Sequence, residues 1–96
     1  MARRTLERIR ATIRTGMYDM TFHAVEEMAE DELDKIDVEI SIRNGQLIKT
    51  ERDDPRGARH TIHGAGADST TRVGSVGRFT GTGRYLIVTV YKVTEA

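Results

Sequence analysis

The sequence predicts an α+β fold, with N-terminal helices packed on one face of a four-stranded antiparallel sheet. Apolar residues recur at helical spacing in the first half of the chain, whereas β-branched and aromatic segments separated by turn residues fill the second half. Helices followed by strands are typical of α+β proteins, and short links between consecutive strands make those strands antiparallel. A chain of 96 residues has room for one hydrophobic core, so we expect a single domain over residues 1–96.

The first predicted element is a basic amphipathic helix over residues 3–15. Its apolar residues recur at helical spacing, and arginines occupy many of the other positions. Gly16 follows as a natural helix stop, because glycine adopts positive φ without strain. Residues 1–17 are therefore expected to form a basic N-terminal helix that precedes the rest of the fold.

Two further helices are expected before the strands begin. The second helix covers residues 22–31, with Thr21 as its N-cap, and the third begins after Asp34 as N-cap and ends at Gly45 with a left-handed stop. The apolar stripe predicted for the second helix consists of Phe22, Val25, Met28 and Ala29. This stripe is expected to face the sheet, with the glutamates of the helix on the solvent side.

Four strands are predicted in the second half of the chain. They cover residues 47–51, 59–63, 71–79 and 85–91. Gly74 and Gly77 interrupt the third strand and indicate a bulge or a close backbone approach. The last strand is β-branched and aromatic on both faces, so we expect it at the centre of the sheet.

The composition excludes several classes of protein. There are no cysteines, so the chain has neither a disulfide framework nor a thiolate nucleophile. No apolar run approaches the roughly 18 residues that a membrane span needs. The basic N-terminus is followed by a polar amphipathic segment rather than the apolar stretch of a signal peptide. We therefore expect a cytoplasmic protein that does not bind membranes.

Charge is distributed unevenly although the chain is neutral overall. Residues 1–16 carry five arginines and one glutamate (net +4), residues 17–39 carry nine acidic residues and one lysine (net −8), and residues 40–96 carry nine basic and five acidic residues (net +4). Two interpretations follow. The charges form solvated faces of ordinary helices and strands, or the strands present a basic surface to an anionic partner.

Several short motifs occur in a fixed order along residues 18–93. They are His23-Ala24 at the start of a short helix, Asp37-Val38-Glu39 in a helix that ends at Gly45, and the final strand Ile87-Val88-Thr89-Val90-Tyr91. In this order the motifs resemble the domain-of-unknown-function family 4258, which looks related to the RelE-like toxins. The resemblance implies a RelE-like fold and a candidate ribonuclease of a toxin–antitoxin pair.

Metal-independent cleavage of RNA would need proton transfer and stabilisation of the phosphorane charge. Alternation along the strand 59–63 predicts that His60 and Ile62 point toward the core and that Arg59 and His63 point to an open face. We expect Arg59, His63 and Tyr91 to be catalytic. The residues expected to bind the substrate are Arg52, Arg72, Arg78 and Lys92.

His23 is the residue through which the resemblance is most recognisable. It either takes part in acid–base chemistry or forms a hydrogen bond that holds its helix to the sheet. A metal site is not expected, because His60 and His63 point to opposite faces and His23 with a neighbouring glutamate provides only two ligands. No cofactor is expected either.

Two functions from different classes stay open at this point. The resemblance implies a RelE-like endoribonuclease whose partners are RNA or the ribosome and an antitoxin protein. The alternative is a non-catalytic protein-interaction module that shares only the fold. The edge strands of so small a sheet also make a homodimer a candidate assembly.

Overall fold

The computed structural model describes residues 2–94, which form three helices and five strands. In chain order the elements are α1 (Ala2–Arg14), β1 (Tyr18–Met20), α2 (Phe22–Glu30), α3 (Lys35–Asn44), β2 (Gln46–Glu51), β3 (Arg59–Ala65), β4 (Arg72–Phe79) and β5 (Tyr85–Lys92). The α+β class is confirmed, and the predicted helices and strands lie within a few residues of the observed ones. No helix among these residues is both long enough and apolar enough to cross a membrane.

The sheet has five strands in the order β1-β5-β4-β3-β2, and it is mixed. The four long strands are antiparallel, as predicted, but β1 adds a fifth strand that runs parallel to β5. The prediction of a four-stranded antiparallel sheet is therefore wrong in this detail. Three residues are too few to show an alternating pattern, and β1 is a strand because the edge of β5 supplies its hydrogen-bonding partners.

The centre of the sheet is β4, whereas β5 lies between β4 and the short β1. The register of β4 with β5 shifts between Val76 and Gly77, so Val88 is an extra residue on β5. The glycines of the third predicted strand indicated a bulge in that strand, but the extra residue is on the neighbouring β5, and Gly74 and Gly77 instead make room for tyrosine rings. Because of the bulge, Tyr85 and Tyr91 point to opposite faces of the sheet although they are six residues apart.

The helices α1 and α3 cover one face of the sheet. The core lies between these helices and the sheet. Its fully buried apolar side chains include Ile9, Val38, Ile42, Ile62, Val73, Tyr85, Ile87 and Val90. The paired residues Ile62, Ser75 and Val90 define this helix-covered face. Residues that alternate with them lie on the opposite face, which is called the open face below.

The helix α2 lies along the edge of β5 beyond the end of β1. Thr21 is its N-cap, as predicted, and accepts a hydrogen bond from the Ala24 amide (3.1 Å). The Glu27 carboxylate accepts a hydrogen bond from the Val90 amide (3.0 Å), and the Asp31 carboxylate accepts one from the Lys92 amide (3.1 Å). Acidic side chains of α2 therefore replace a neighbouring strand at this edge.

The predicted apolar stripe of the second helix is right for Met28 and wrong for Phe22, Val25 and Ala29, which are exposed. Ala24 and Met28 are buried, whereas Phe22 and Val25 are exposed to 79% and 46%. The helix meets the sheet at a polar edge rather than on an apolar face, so its inner side combines small or flexible apolar residues with carboxylates.

The C-terminal end of α3 approaches the sheet backbone closely. Gly45 is extended (φ −89°) rather than left-handed as predicted, because β2 begins at the next residue. A Cβ atom on either Gly45 or Gly64 would collide with the backbone oxygen of Ser41. Gly45 is needed here for close packing of helix on strand and not for a turn.

Candidate functional site

The open face carries most of the side chains that the sequence singled out. Arg59 and His63 lie on β3, and Arg72 and Arg78 lie on β4, on the side away from α1 and α3. Tyr91 joins them from β5, since it pairs with Gly74, which also pairs with His63. These five side chains form two separate groups, one toward each end of the strands.

The first group surrounds a pocket of about 280 Å³, which is called the arginine pocket. Its lining residues are Thr21, His23, Asp54, Arg56, Arg59, Arg78, Leu86 and Val88. The β2–β3 loop, α2 and the three strands β3, β4 and β5 all contribute. Arg59 precedes His60, which pairs with Gly77, so Arg59 and Arg78 are neighbours across the two strands.

Three arginines and one aspartate give the arginine pocket a formal surplus of two positive charges. The Asp54 carboxylate accepts a hydrogen bond from the Arg56 amide (2.8 Å) and lies 3.7 Å from Arg59 Nε. The bond from the Arg56 backbone and the nearby guanidinium groups lower the pKa of Asp54, so this carboxylate stays ionised and holds the loop. Within residues 2–94, Arg78 forms no ion pair.

Arg59 is only loosely held by its acidic neighbours. Its guanidinium lies 3.7 Å from both Asp54 and Glu51, and its buried Nε atom has no hydrogen-bond partner among the described residues. Its side chain is 37% exposed. A guanidinium with an unused donor beside a pocket is suited to bind an oxyanion.

His23 lies at the rim of the arginine pocket, with a side chain that is 68% exposed. Its Nε2 atom is 3.3 Å from the Glu27 carboxylate on the same helix. The helix is held to the sheet by Glu27 itself, through the Val90 amide. His23 contacts the same Glu27 oxygen that accepts the Val90 bond, so it lines the pocket and also supports the carboxylate that holds α2 to the sheet.

The second group is a hydrogen-bonded pair formed by His63 and Tyr91. The His63 Nε2 and Tyr91 Oη atoms are 2.7 Å apart, and the two rings meet edge to face. Gly74 lies between them on β4, and a Cβ atom there would collide with the Tyr91 ring. Glycine at this position therefore allows the tyrosine to reach across the central strand.

The environment sets the protonation of this pair. Burial and then the positive charge of Arg72 lower the pKa of His63, so its imidazole is neutral at pH 7. Burial raises the pKa of Tyr91, so its phenol is protonated. A neutral imidazole bonded to a protonated phenol can transfer protons, and the effect of Arg72 on His63 shows that a guanidinium is close by.

The two groups on the open face do not form one compact centre. Arg59 and His63 are four residues apart on β3, which is roughly 13 Å at 3.3 Å per residue. The structure thus brings His63 and Tyr91 together and places Arg59 with Arg78 elsewhere. Of the three residues predicted to be catalytic, His63 and Tyr91 are in contact, whereas Arg59 lies in the arginine pocket.

Two of the predicted substrate-binding residues lie off the open face. Arg52 lines a different pocket, on the helix-covered side. Lys92 pairs with Val73, and this register assigns it to the helix-covered side at the end of β5. The placement of Lys92 follows from the strand register, and that of Arg52 follows from the path of the β2–β3 loop.

Sequence patterns did not indicate Asp54, Arg56, Leu86 or Val88 as parts of a site. Arg56 and Asp54 belong to a turn, and their contribution depends on how the loop folds back over the open face. Leu86 and Val88 were assigned to a strand that is apolar on both faces, where no alternation distinguishes a pocket floor from a core. Among residues 2–94, no three His, Asp or Glu side chains converge as metal ligands.

Comparison with known proteins places this arrangement in a family. A family model described as "Domain of unknown function (DUF4258)" matches residues 20–92, which include the four long strands β2 to β5. Neither the curated proteins nor the solved structures give a match. Since the match extends over most of the chain, this protein belongs to the DUF4258 family.

Proposed function

We propose that this chain binds single-stranded RNA on its open face and cleaves it without a metal, as an endoribonuclease toxin of the RelE-like kind. One observation carries the proposal: the same sheet face presents a hydrogen-bonded His63–Tyr91 pair and a pocket lined by three arginines. Proton transfer and phosphate binding are the two requirements of such a reaction.

The His63–Tyr91 pair supplies the base for cleavage. As the RNA 2′-hydroxyl transfers its proton to Tyr91 Oη, the phenol transfers its own proton to His63 Nε2, which is free to accept it because the imidazole is neutral. The 2′-oxygen forms a bond to phosphorus, and the bond from phosphorus to the 5′-oxygen breaks. The 5′-oxygen takes a proton from a water molecule, and the proton held by His63 returns through Tyr91 to the hydroxide left behind. The products are a 2′,3′-cyclic phosphate, a 5′-hydroxyl and the His63–Tyr91 pair in its starting state.

Arginines bind the phosphates on either side of this step. In this proposal Arg72, whose charge acts on His63, stabilises the negative charge that develops on the phosphorane. The arginine pocket, further along the open face, binds a second phosphate of the same strand through Arg59 and Arg78. Binding by phosphate contacts is expected to weaken steeply as the salt concentration rises.

A second function, the non-catalytic interaction module, is favoured by a different observation. Phe22 on α2 is 79% exposed and Val25 is 46% exposed. Exposed apolar side chains on one helix are typical of surfaces that bind another protein. Neither Phe22 nor Val25 lines the arginine pocket, so the two functions predict different sensitive residues.

Cleavage is tested with purified protein and a labelled single-stranded RNA in EDTA, with and without ribosomes. We expect products that end in a 2′,3′-cyclic phosphate. His63→Gln or Tyr91→Phe should lower the cleavage rate about 100-fold or more, with little effect on RNA affinity. Arg78→Gln should weaken RNA binding, and Arg43→Gln, an exposed residue of α3, is the matched control.

The outcomes separate the two functions. RNA binding without cleavage by the wild-type protein, in both the presence and the absence of ribosomes, would disprove the nuclease proposal. If the protein also fails to bind RNA at low salt, the interaction module becomes the better account. In that case Phe22→Ser should abolish partner binding, whereas Arg78→Gln should leave it intact.

A further inference from the structure

A second basic pocket lies on the helix-covered side, between the N-terminal half of α1 and the β2–β3 loop. Its volume is about 260 Å³. The lining residues of this helix-side pocket are Thr5, Arg8, Arg52, Gly57, Ala58, His60 and Phe79. None of them lines the arginine pocket, so the two pockets are separate sites on opposite sides of one loop.

The helix-side pocket contains positive charge that no acidic residue balances. Two arginines and a histidine line it, and no carboxylate does. Among residues 2–94 neither Arg8 nor Arg52 forms an ion pair. The arginine pocket differs in this respect, because there Asp54 and Glu51 lie near Arg59. Of the two pockets, only the helix-side pocket has no carboxylate of its own to compete with a bound anion.

Two of its three basic side chains, Arg8 and His60, are held in place by contacts that leave donors unused. The guanidinium of Arg8 stacks on the Phe79 ring at 4.3 Å from the ring centroid. The Nδ1 atom of His60 bonds to the Thr50 hydroxyl (3.1 Å), so Nε2 is the ring nitrogen available to a ligand. Stacking on an aromatic ring fixes the plane of a guanidinium while its edge can still donate hydrogen bonds.

The two arginines are close enough to act on His60. Burial, and then the charges of Arg52 and Arg8, lower the pKa of His60, so its imidazole is neutral and the positive charge of the pocket comes from the arginines. A bound dianion would offset the arginine charges. Phosphate binding is therefore expected to raise the pKa of His60.

We propose that the helix-side pocket binds the phosphate group of a phosphomonoester through Arg8, Arg52 and His60 Nε2. A terminal phosphate carries close to two negative charges and three oxygens, which match two guanidinium groups and a third donor. A carboxylate has one charge and two oxygens and would leave one donor unused. The ligand is a small phosphorylated compound or the 5′-terminal phosphate of a nucleic acid.

This site depends on a part of the chain outside the family match. Thr5 and Arg8 belong to α1, whereas the match covers residues 20–92. The helix-side pocket is thus completed by the N-terminal helix of this particular chain. The proposal is independent of cleavage on the open face, since the two pockets share no lining residue.

The test is a titration of the ¹⁵N-labelled full chain with inorganic phosphate, followed through the His60 imidazole and Arg8 Nε resonances. We expect saturable changes at both residues, with His63 unaffected. Adenosine 5′-monophosphate and a short oligonucleotide with a 5′-phosphate distinguish the two sources of ligand. Tighter binding of the oligonucleotide than of its 5′-hydroxyl form assigns a nucleic-acid end, and equal or tighter binding of the monophosphate assigns a small compound.

Variants complete the test. Arg8→Gln and Arg52→Gln should each raise the dissociation constant for phosphate about tenfold or more, the loss expected for one charged hydrogen bond. Arg14→Gln, an exposed arginine in the last turn of α1, should leave it unchanged. Changes that do not saturate in the wild-type protein, or that are equal in the Arg52 and Arg14 variants, would overturn the proposal. The wild-type titration decides this even if a variant fails to fold.

Discussion

At the scale of single residues, the central strand shows how glycine creates room for function. Gly74 and Gly77 are three residues apart on β4 and therefore face opposite sides of the sheet. Each is covered by a tyrosine from β5: the Tyr91 ring lies over Gly74 on the open face, and the Tyr85 ring lies over Gly77 in the core. One of these tyrosines forms part of the candidate site, and the other fills the core.

The substitution Gly74→Ala tests this arrangement. The added methyl group would collide with the Tyr91 ring and would lie 2.8 Å from its hydroxyl, so the ring must move away from His63. We expect a loss of about 1–3 kcal/mol in the free energy of unfolding, measured with urea, together with loss of cleavage activity. Gly81→Ala is the matched control, because nothing lies within 4 Å of a Cβ atom there. Equal stability of the two variants would contradict the proposed role of Gly74.

At the scale of elements, α2 shows how a helix can close the edge of a sheet with carboxylates. The strand β1 pairs with only the first part of β5, at Tyr85 to Ile87. Beyond this point Glu27 and Asp31 accept hydrogen bonds from β5 amides. The edge of β5 is thereby unavailable to another chain, whereas β2 forms the other edge of the sheet.

Replacement of Glu27 should loosen α2 from the sheet. Glu27→Ala leaves the amide of the buried Val90 without its acceptor, so we expect the free energy of unfolding to fall by about 1–3 kcal/mol. Glu26→Ala removes an exposed neighbour of the same type and should change stability by less than about 0.5 kcal/mol. Faster hydrogen exchange at Val90 in the first variant alone would locate the effect. Unchanged exchange at this amide would show that Glu27 does not hold the edge.

The same elements show what the sequence could reveal and what it could not. Strong periodicity correctly indicated three helices, the four long strands and the side of β3 on which His60 and Ile62 lie. It failed for β1, which is too short for a pattern, and for α2, whose inner side is partly acidic. The separation of Arg59 from His63 follows from their spacing on one strand, but the contacts of Arg56 and Tyr91 required the loop fold and the register across β4.

At the scale of the whole molecule, one loop connects two basic pockets. Arg56 and Asp54 face the open side, whereas Arg52 and Gly57 face the helix-covered side. The Asp54 carboxylate, which bonds to the Arg56 amide, fixes the loop between them. An anion bound on either side would contact the same short segment, so the rigidity of this loop affects both candidate sites.

The pH dependence of the free energy of unfolding is expected to come in part from two histidines, His60 and His63. Burial is the main cause that lowers the pKa of both His60 and His63 from the usual value of 6.5, and arginine charges add to it. Below pH 6.5 the unfolded chain therefore binds protons that the folded chain does not. By linkage, this lowers the free energy of unfolding as the pH falls. Well above pH 6.5 the two histidines are neutral in both the folded and the unfolded chain, so the free energy of unfolding no longer changes with pH through them.

Urea unfolding between pH 7.5 and pH 5 measures this dependence. The aspartates whose pKa values are lowered, Asp19, Asp54 and Asp68, titrate below this range and do not contribute to the slope. We expect stability to decrease from about pH 6.5 downward, and His60→Gln and His63→Gln each to make that decrease shallower. If neither His60→Gln nor His63→Gln altered the slope, neither histidine would be held neutral by the fold. The neutral imidazole that the proposed cleavage requires at His63 would then lack support.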